Sequence, residues 1–160
     1  MHLAIVKVFR PQWTSMINQE WKRNLLINRP NLEEKKLDRT INLMSSTFPD
    51  ANVLSFEHHI PLLSLPDEND KHVFAAAIEC NADFIVTFNL KDFPDSELLR
   101  YDLKAIHPDS FVCNLFETHE LFVRQALSNQ VMTLVNPPKT QEEVLIILAK
   151  CGLKKFATLF

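Results

Sequence analysis

Glycine is almost absent. Only Gly152 among 160 residues is glycine, and that scarcity removes whole classes of function. Loops that cradle phosphate need backbone to reach the ligand with no Cβ in the way, so the chain carries neither a P-loop nor a dinucleotide fingerprint. Long apolar runs are missing as well. No stretch approaches the roughly 18 residues of a membrane helix, and the run in "MHLAIVKVFR" is too short and interrupted for a signal peptide, so no membrane partner is expected. Cysteine is sparse: Cys80, Cys113 and Cys151 lie far apart and are odd in number, which reads as reduced thiols in a cytoplasmic chain. A Ser-His-Asp hydrolase lacks its nucleophile elbow.

What remains is an ordinary globular composition, 46% apolar, in a length that suits one domain with a real core. Charge is unevenly spread. Residues 1–40 hold eight Lys/Arg against four Asp/Glu, and residues 41–100 hold three against ten. Such blocks read either as solvated faces or as an acidic pocket beside a basic rim that a polyanion would follow.

The pattern predicts a helical stretch over residues 2–8 ended by Pro11. A helix over "TSMINQEWKRNLL" follows, with Thr14 or Ser15 as N-cap and Met16, Ile17, Trp21, Leu25 and Leu26 inward. A second runs through "RPNLEEKKLDRTINLMSSTF", burying Leu32, Leu37, Ile41, Leu43, Met44 and Phe48. Residues 53–56 suggest a short strand, and "HHIPLLSLP" an irregular segment because two prolines interrupt it. Residues 67–80 suggest a helix with acids in its first turn, "DFIVTFN" a buried strand, and residues 103–106 another strand. "PDSFVCNLF" and "HELFVRQALSNQVMTLV" read as helices. In "TQEEVLIILAKCG", Thr140 with Glu143 makes a capping box and Gly152 a left-handed terminator. Helices interleaved with short strands predict an α/β layered fold with a mostly parallel sheet. The expected organisation is a domain over residues 1–136 with a C-terminal helical extension, residues 137–160, packing on it.

The chemistry concentrates in "DENDKHVFAAAIECNADFIVTFNLKDF". Asp67 and Asp70 fall within one helical turn. Asn89 and Asp92 follow the C-terminal end of a strand, where ligands of parallel α/β sheets bind. Oxygen donors without His or Cys suit a hard cation, Mg²⁺ or Mn²⁺. The competing reading is that Asp67 and Asp70 are a cap and a first-turn acid, and Asp92 a loop residue. The histidines (His58-His59, His72, His107, His119) have no helical i, i+4 pairing with a third ligand in reach, and read as structural or surface groups rather than a zinc site. Arg10, Lys22, Arg23, Arg29 and Lys91 are candidates for phosphate contacts. Trp13 and Trp21 are candidates for base stacking, with burial as the alternative.

The stretch "LPDENDKHVFAAAIECNADFIVTFNLKDFP" resembles the signature of PIN domains, closest to a subgroup with the pattern D-x-H-V-x-A-A-A followed by A-D-x-I-V-T-F-N-x-x-D-F-P. Weaker likeness runs through "FRPQWTSMINQEWKRNLL" and "NPPKTQEEVL…GLKKFA". The resemblance implies a three-layer α/β fold and a Mg²⁺- or Mn²⁺-dependent ribonuclease, many of whose relatives are toxins of toxin–antitoxin modules. It implies metal ligation and catalysis by Glu20, Asp70 and Asp92, support from Asn89, Asp67 and Thr87, RNA as substrate, and an antitoxin or a second copy as protein partner. It also implies a departure. The family opens with a central strand bearing D-x-N-V-L, whose aspartate is a metal ligand, whereas this chain starts inside what reads as the next helix, so that strand is expected to be absent. "PDANVLSF", with Asp50 and Asn52, looks like the missing motif, either by chance or because that segment takes the central slot. The alternative function is therefore a truncated or degenerate, inactive PIN-like module for protein binding or self-association.

Overall fold

A computed structural model describes residues 1–160. Eight α-helices appear in chain order: α1 (His2–Ile5), α2 (Ser15–Asn28), α3 (Glu34–Thr47), α4 (Lys71–Glu79), α5 (Asp95–Leu98), α6 (Pro108–Thr133), α7 (Gln141–Lys150) and α8 (Lys154–Ala157). Two strands, β1 (Phe84–Val86) and β2 (Lys104–Ile106), pair in parallel. No helix is long and apolar enough to cross a membrane. The fold is α/β, and the chain divides into two compact units.

One unit comprises residues 11–85 and 91–105. Its core forms around α4, where Phe74 and Ala75 are fully buried and Ala76 and Ala77 nearly so. Side chains this small let the 3₁₀ turn Glu57–Leu62 lie close against the helix. Val53, Phe56, Leu63, Leu65, Ile85, Phe93, Leu98 and Leu103 complete the cluster. Phe74 meets Tyr101 edge to face, with centroids 5.4 Å apart. The α2 helix starts as its sequence dictates: the Thr14 hydroxyl accepts the Ile17 N–H at 3.1 Å.

Several elements differ from the sequence pattern. The first helix covers only His2–Ile5, ended by Lys7 at φ 60°. Residues 53–56 form no strand. The segment contributes one parallel bridge, Trp13 to Asn52, in which the Val53 N–H donates to the Trp13 carbonyl at 2.8 Å. "PDANVLSF" thus starts in a 3₁₀ turn, Pro49–Ala51, and takes no central slot. The proline-interrupted segment is half regular: Pro61 is tolerated in the 3₁₀ turn that ends at Leu62, and residues 63–66 are irregular as expected. Trp13 is buried, edge-on to Phe48. Leu43 and Met16, read as inward-facing, are exposed. Only Ile85 of β1 is buried; Phe84 and Val86 are exposed, so the strand covers its core on one face rather than two.

The other unit comprises residues 1–10, 86–90 and 106–160. Val112, Val123 and Phe156 are its buried centre. Phe116, Phe156 and Phe160 pack edge to face, and the Arg124 guanidinium lies 5.1 Å from the Phe116 centroid and 4.8 Å from the Phe160 centroid. The two helices expected over this region are present: α6 is two helical segments that meet at a kink at His119 (φ −138°, ψ 41°), where the sequence reading placed their boundary. Buried Asp109 on α6 caps α8 by accepting the N–H groups of Lys155 and Phe156, each at 2.9 Å. The capping box is present: the Glu143 N–H donates to Thr140 Oγ1, and the Thr140 N–H donates to the Glu143 carboxylate. Gly152 follows at φ 100°, and a Cβ there would meet the Phe88 ring at 2.7 Å.

Candidate metal centre

The acidic stretch folds in two steps. Asp67 caps a 3₁₀ turn, Glu68–Asp70, its Oδ1 accepting both the backbone N–H and the side-chain amide of Asn69 at 2.9 Å. The chain then enters α4 with Asp70 at the N-cap position. Its side chain accepts no capping bond, although Asp is among the strongest N-caps. Its backbone is already helical (φ −84°, ψ −6°), continuing from the 3₁₀ turn, whereas a capping residue is extended. Asp92, in a 3₁₀ turn after β1, is buried.

These three residues converge. Asp67, Asp70 and Asp92 each offer a carboxylate oxygen, and the oxygens lie within 4.8 Å of one another. Burial raises the Asp70 pKa, and the charges of Asp67, Asp92 and Glu20 raise it further, against a smaller opposing effect of His72. Placing several like charges together destabilises the metal-free fold, and a cation among them would relieve it. All-oxygen, anionic donors fit a hard divalent ion and not a thiophilic one.

Glu20 lies outside the trio. The His72 ring donates from Nε2 to Glu20 Oε2 at 3.1 Å, which leaves His72 Nδ1 buried without a partner. His72, which the sequence leaves as a structural group or one that orients site residues, holds the α2 acid Glu20 from α4. Asp67, expected only to support, is a full member of the cluster. The Asn89 N–H donates to Thr87 Oγ1 at 3.0 Å, a local turn in the other unit.

An open groove of about 800 Å³ runs along α2, lined by Glu20, Arg23, Glu68, Lys71 and His72 among others. Two lysines on the groove, the phosphate-contact candidate Lys22 and also Lys71, are already paired. Lys22 bridges Glu34 (2.8 Å) and Asp38 (2.6 Å), and Lys71 pairs with Glu68 at 2.7 Å. Arg23 is exposed on the groove.

The sequence profile described as PIN domain matches residues 1–91, more than half of the chain. The chain belongs to the PIN domain family. A second profile, the VapC50 C-terminal domain, matches residues 108–160. A curated relative from Mycobacterium tuberculosis (strain ATCC 25618 / H37Rv), named "Putative ribonuclease VapC50", is 38% identical over 81 residues, which is 51% of this chain and 48% of the relative. The match thus spans about half the length of that protein. No solved structure matches. In this PIN domain protein the acids that come together are Asp67, Asp70 and Asp92.

Proposed function

We propose that this PIN domain protein is a metal-dependent endoribonuclease of the toxin type, with RNA as substrate and an antitoxin protein as partner, acting in the cytoplasm as a monomer or homodimer. The convergence of Asp67, Asp70 and Asp92 carries the reading. Asp70 and Asp92 hold Mg²⁺ or Mn²⁺, and Asp67, with one oxygen pinned by Asn69, completes the wall. Glu20, held by His72, acts from the adjacent helix, directly or through water. A bound ion would neutralise charge on the phosphoryl oxygens and lower the pKa of the attacking water. The protein's own groups orient and neutralise, so no side-chain nucleophile is required. Arg23 meets the RNA backbone along the groove.

The family and the curated relative's name both support ribonuclease chemistry. The test is cleavage of a mixed-sequence RNA in Mn²⁺ by the wild type and by Asp70→Asn. Cleavage by the wild type alone is expected. Equal cleavage by both removes Asp70 from the site, and cleavage by neither, with no Mn²⁺ bound, leaves the inactive binding module.

A further inference from the structure

The strongest donor cluster outside the carboxylate site lies at the other end of α4. His58 and His59 sit side by side in the Glu57–Leu62 turn, their rings 3.9 Å apart and tilted by 37°. Glu79, the last residue of α4, lies against them. Its Oε2 is 3.0 Å from His59 Nε2 and 3.8 Å from His58 Nε2. One ligand atom from each of the three residues lies within 4.8 Å of the others. We propose that His58, His59 and Glu79 form a second cation site, selective for Zn²⁺-class transition metals.

The argument turns on which ring nitrogen carries the proton. His58 Nδ1 lies 2.7 Å from the Ser55 carbonyl oxygen. A carbonyl only accepts, so Nδ1 holds the hydrogen and the neutral ring presents a bare Nε2. His58 Nε2 lies 3.8 Å from Glu79 Oε2, beyond direct hydrogen-bond reach and close enough for one ion to bridge. An imidazole whose far nitrogen is fixed by a backbone carbonyl is the arrangement of a metal-binding histidine. Two imidazoles and one carboxylate, with the fourth position open to water, are a known tetrahedral zinc donor set. The residues are half-buried or exposed, so an ion can enter from solvent.

The site is separate from the carboxylate cluster. Asp70 and Glu79 are nine residues apart, roughly 13 Å along a helix. Their donor chemistries differ too, oxygen alone against nitrogen with oxygen, so the two places select different ions. The metal would clamp the Glu57–Leu62 turn to the C-terminal end of the helix that carries Asp70.

Zn²⁺ titration of the full chain by calorimetry, in excess Mg²⁺ to fill the carboxylate cluster, tests this. One Zn²⁺ per chain is expected. His59→Gln and Glu79→Gln should each weaken it by at least about tenfold, the least that loss of even an outer partner costs, while Asp70→Asn retains it. Unchanged Zn²⁺ binding in both site variants, or its loss in Asp70→Asn, overturns the proposal. Co²⁺ added to the wild type needs no variant. Intense visible d–d bands, bleached by Zn²⁺, mark the tetrahedral nitrogen–oxygen site, and only weak octahedral bands contradict it.

Discussion

Replacing Asp109 tests whether one buried carboxylate holds the C-terminal helix in place. Both of its oxygens are used, accepting the Phe156 and Lys155 N–H groups at 2.9 Å. Bonds to a charged acceptor contribute about 1.5–3 kcal/mol each. Asp109→Ala removes both and leaves two donors unsatisfied, a loss of about 4 kcal/mol. At about 3 °C per kcal/mol for a chain of this size, the melting temperature falls by about 12 °C. Asp109→Asn keeps one acceptor and should lose roughly half as much. The pH dependence gives a second readout. Burial pushes the Asp109 pKa up, but the bonds from Phe156 and Lys155, with the nearby charges of His107 and Lys155, bring it below its ordinary value of 3.8. A depressed folded pKa means that the stabilisation is present above the unfolded value and is lost as pH falls through the folded one. Melting followed by circular dichroism should therefore show the gap between wild type and Asp109→Asn closing below pH 3.8. A loss under about 1 kcal/mol in Asp109→Ala, or a gap that does not change with pH, refutes the reasoning.

Asp70 has the opposite sign. Burial first, then the charges of Asp67, Asp92 and Glu20, raise its pKa, so its contribution to metal-free stability is full below the unfolded pKa and is lost as pH rises through the folded one. Without metal at neutral pH, Asp70→Asn should melt higher than the wild type; a lower melting temperature contradicts the electrostatic account. Phe74 is fully buried against Tyr101, and Phe74→Ala should cost about 3–5 kcal/mol by chemical denaturation. A cost under about 2 kcal/mol would mean that the cavity collapses.

The features legible in the sequence were local ones. Thr14, the Thr140–Glu143 box and Gly152 mark helix ends by chemistry confined to four residues, and all three behave as the pattern predicts. The break at His119 was legible too: the pattern starts a new helix there, and the structure kinks there, with the Thr118 hydroxyl donating back to the Asn114 carbonyl. Asp70 and Asp92 could be picked out because the family signature places them. The features that were not legible depend on distance in sequence. Nothing in "ANVLSF" shows that its bridge partner is Trp13, about forty residues earlier, so a β-like composition read as a strand. His72 followed the same rule: its carboxylate partner, Glu20, is on another helix. So did the His58-His59 pair, which showed no third ligand until α4 brought Glu79 beside it.

The central claim is that the acids of this PIN domain bind a divalent ion as a unit. Mn²⁺ titration followed by electron paramagnetic resonance, on the wild type, Asp67→Asn and Asp92→Asn, tests it most directly. Asp92 is the most buried of the three acids, so its loss leaves the least room for solvent to replace a ligand. The account predicts saturable Mn²⁺ binding in the wild type, weakened by at least about tenfold in Asp92→Asn and less in Asp67→Asn. Equal Mn²⁺ affinity in all three proteins would contradict it.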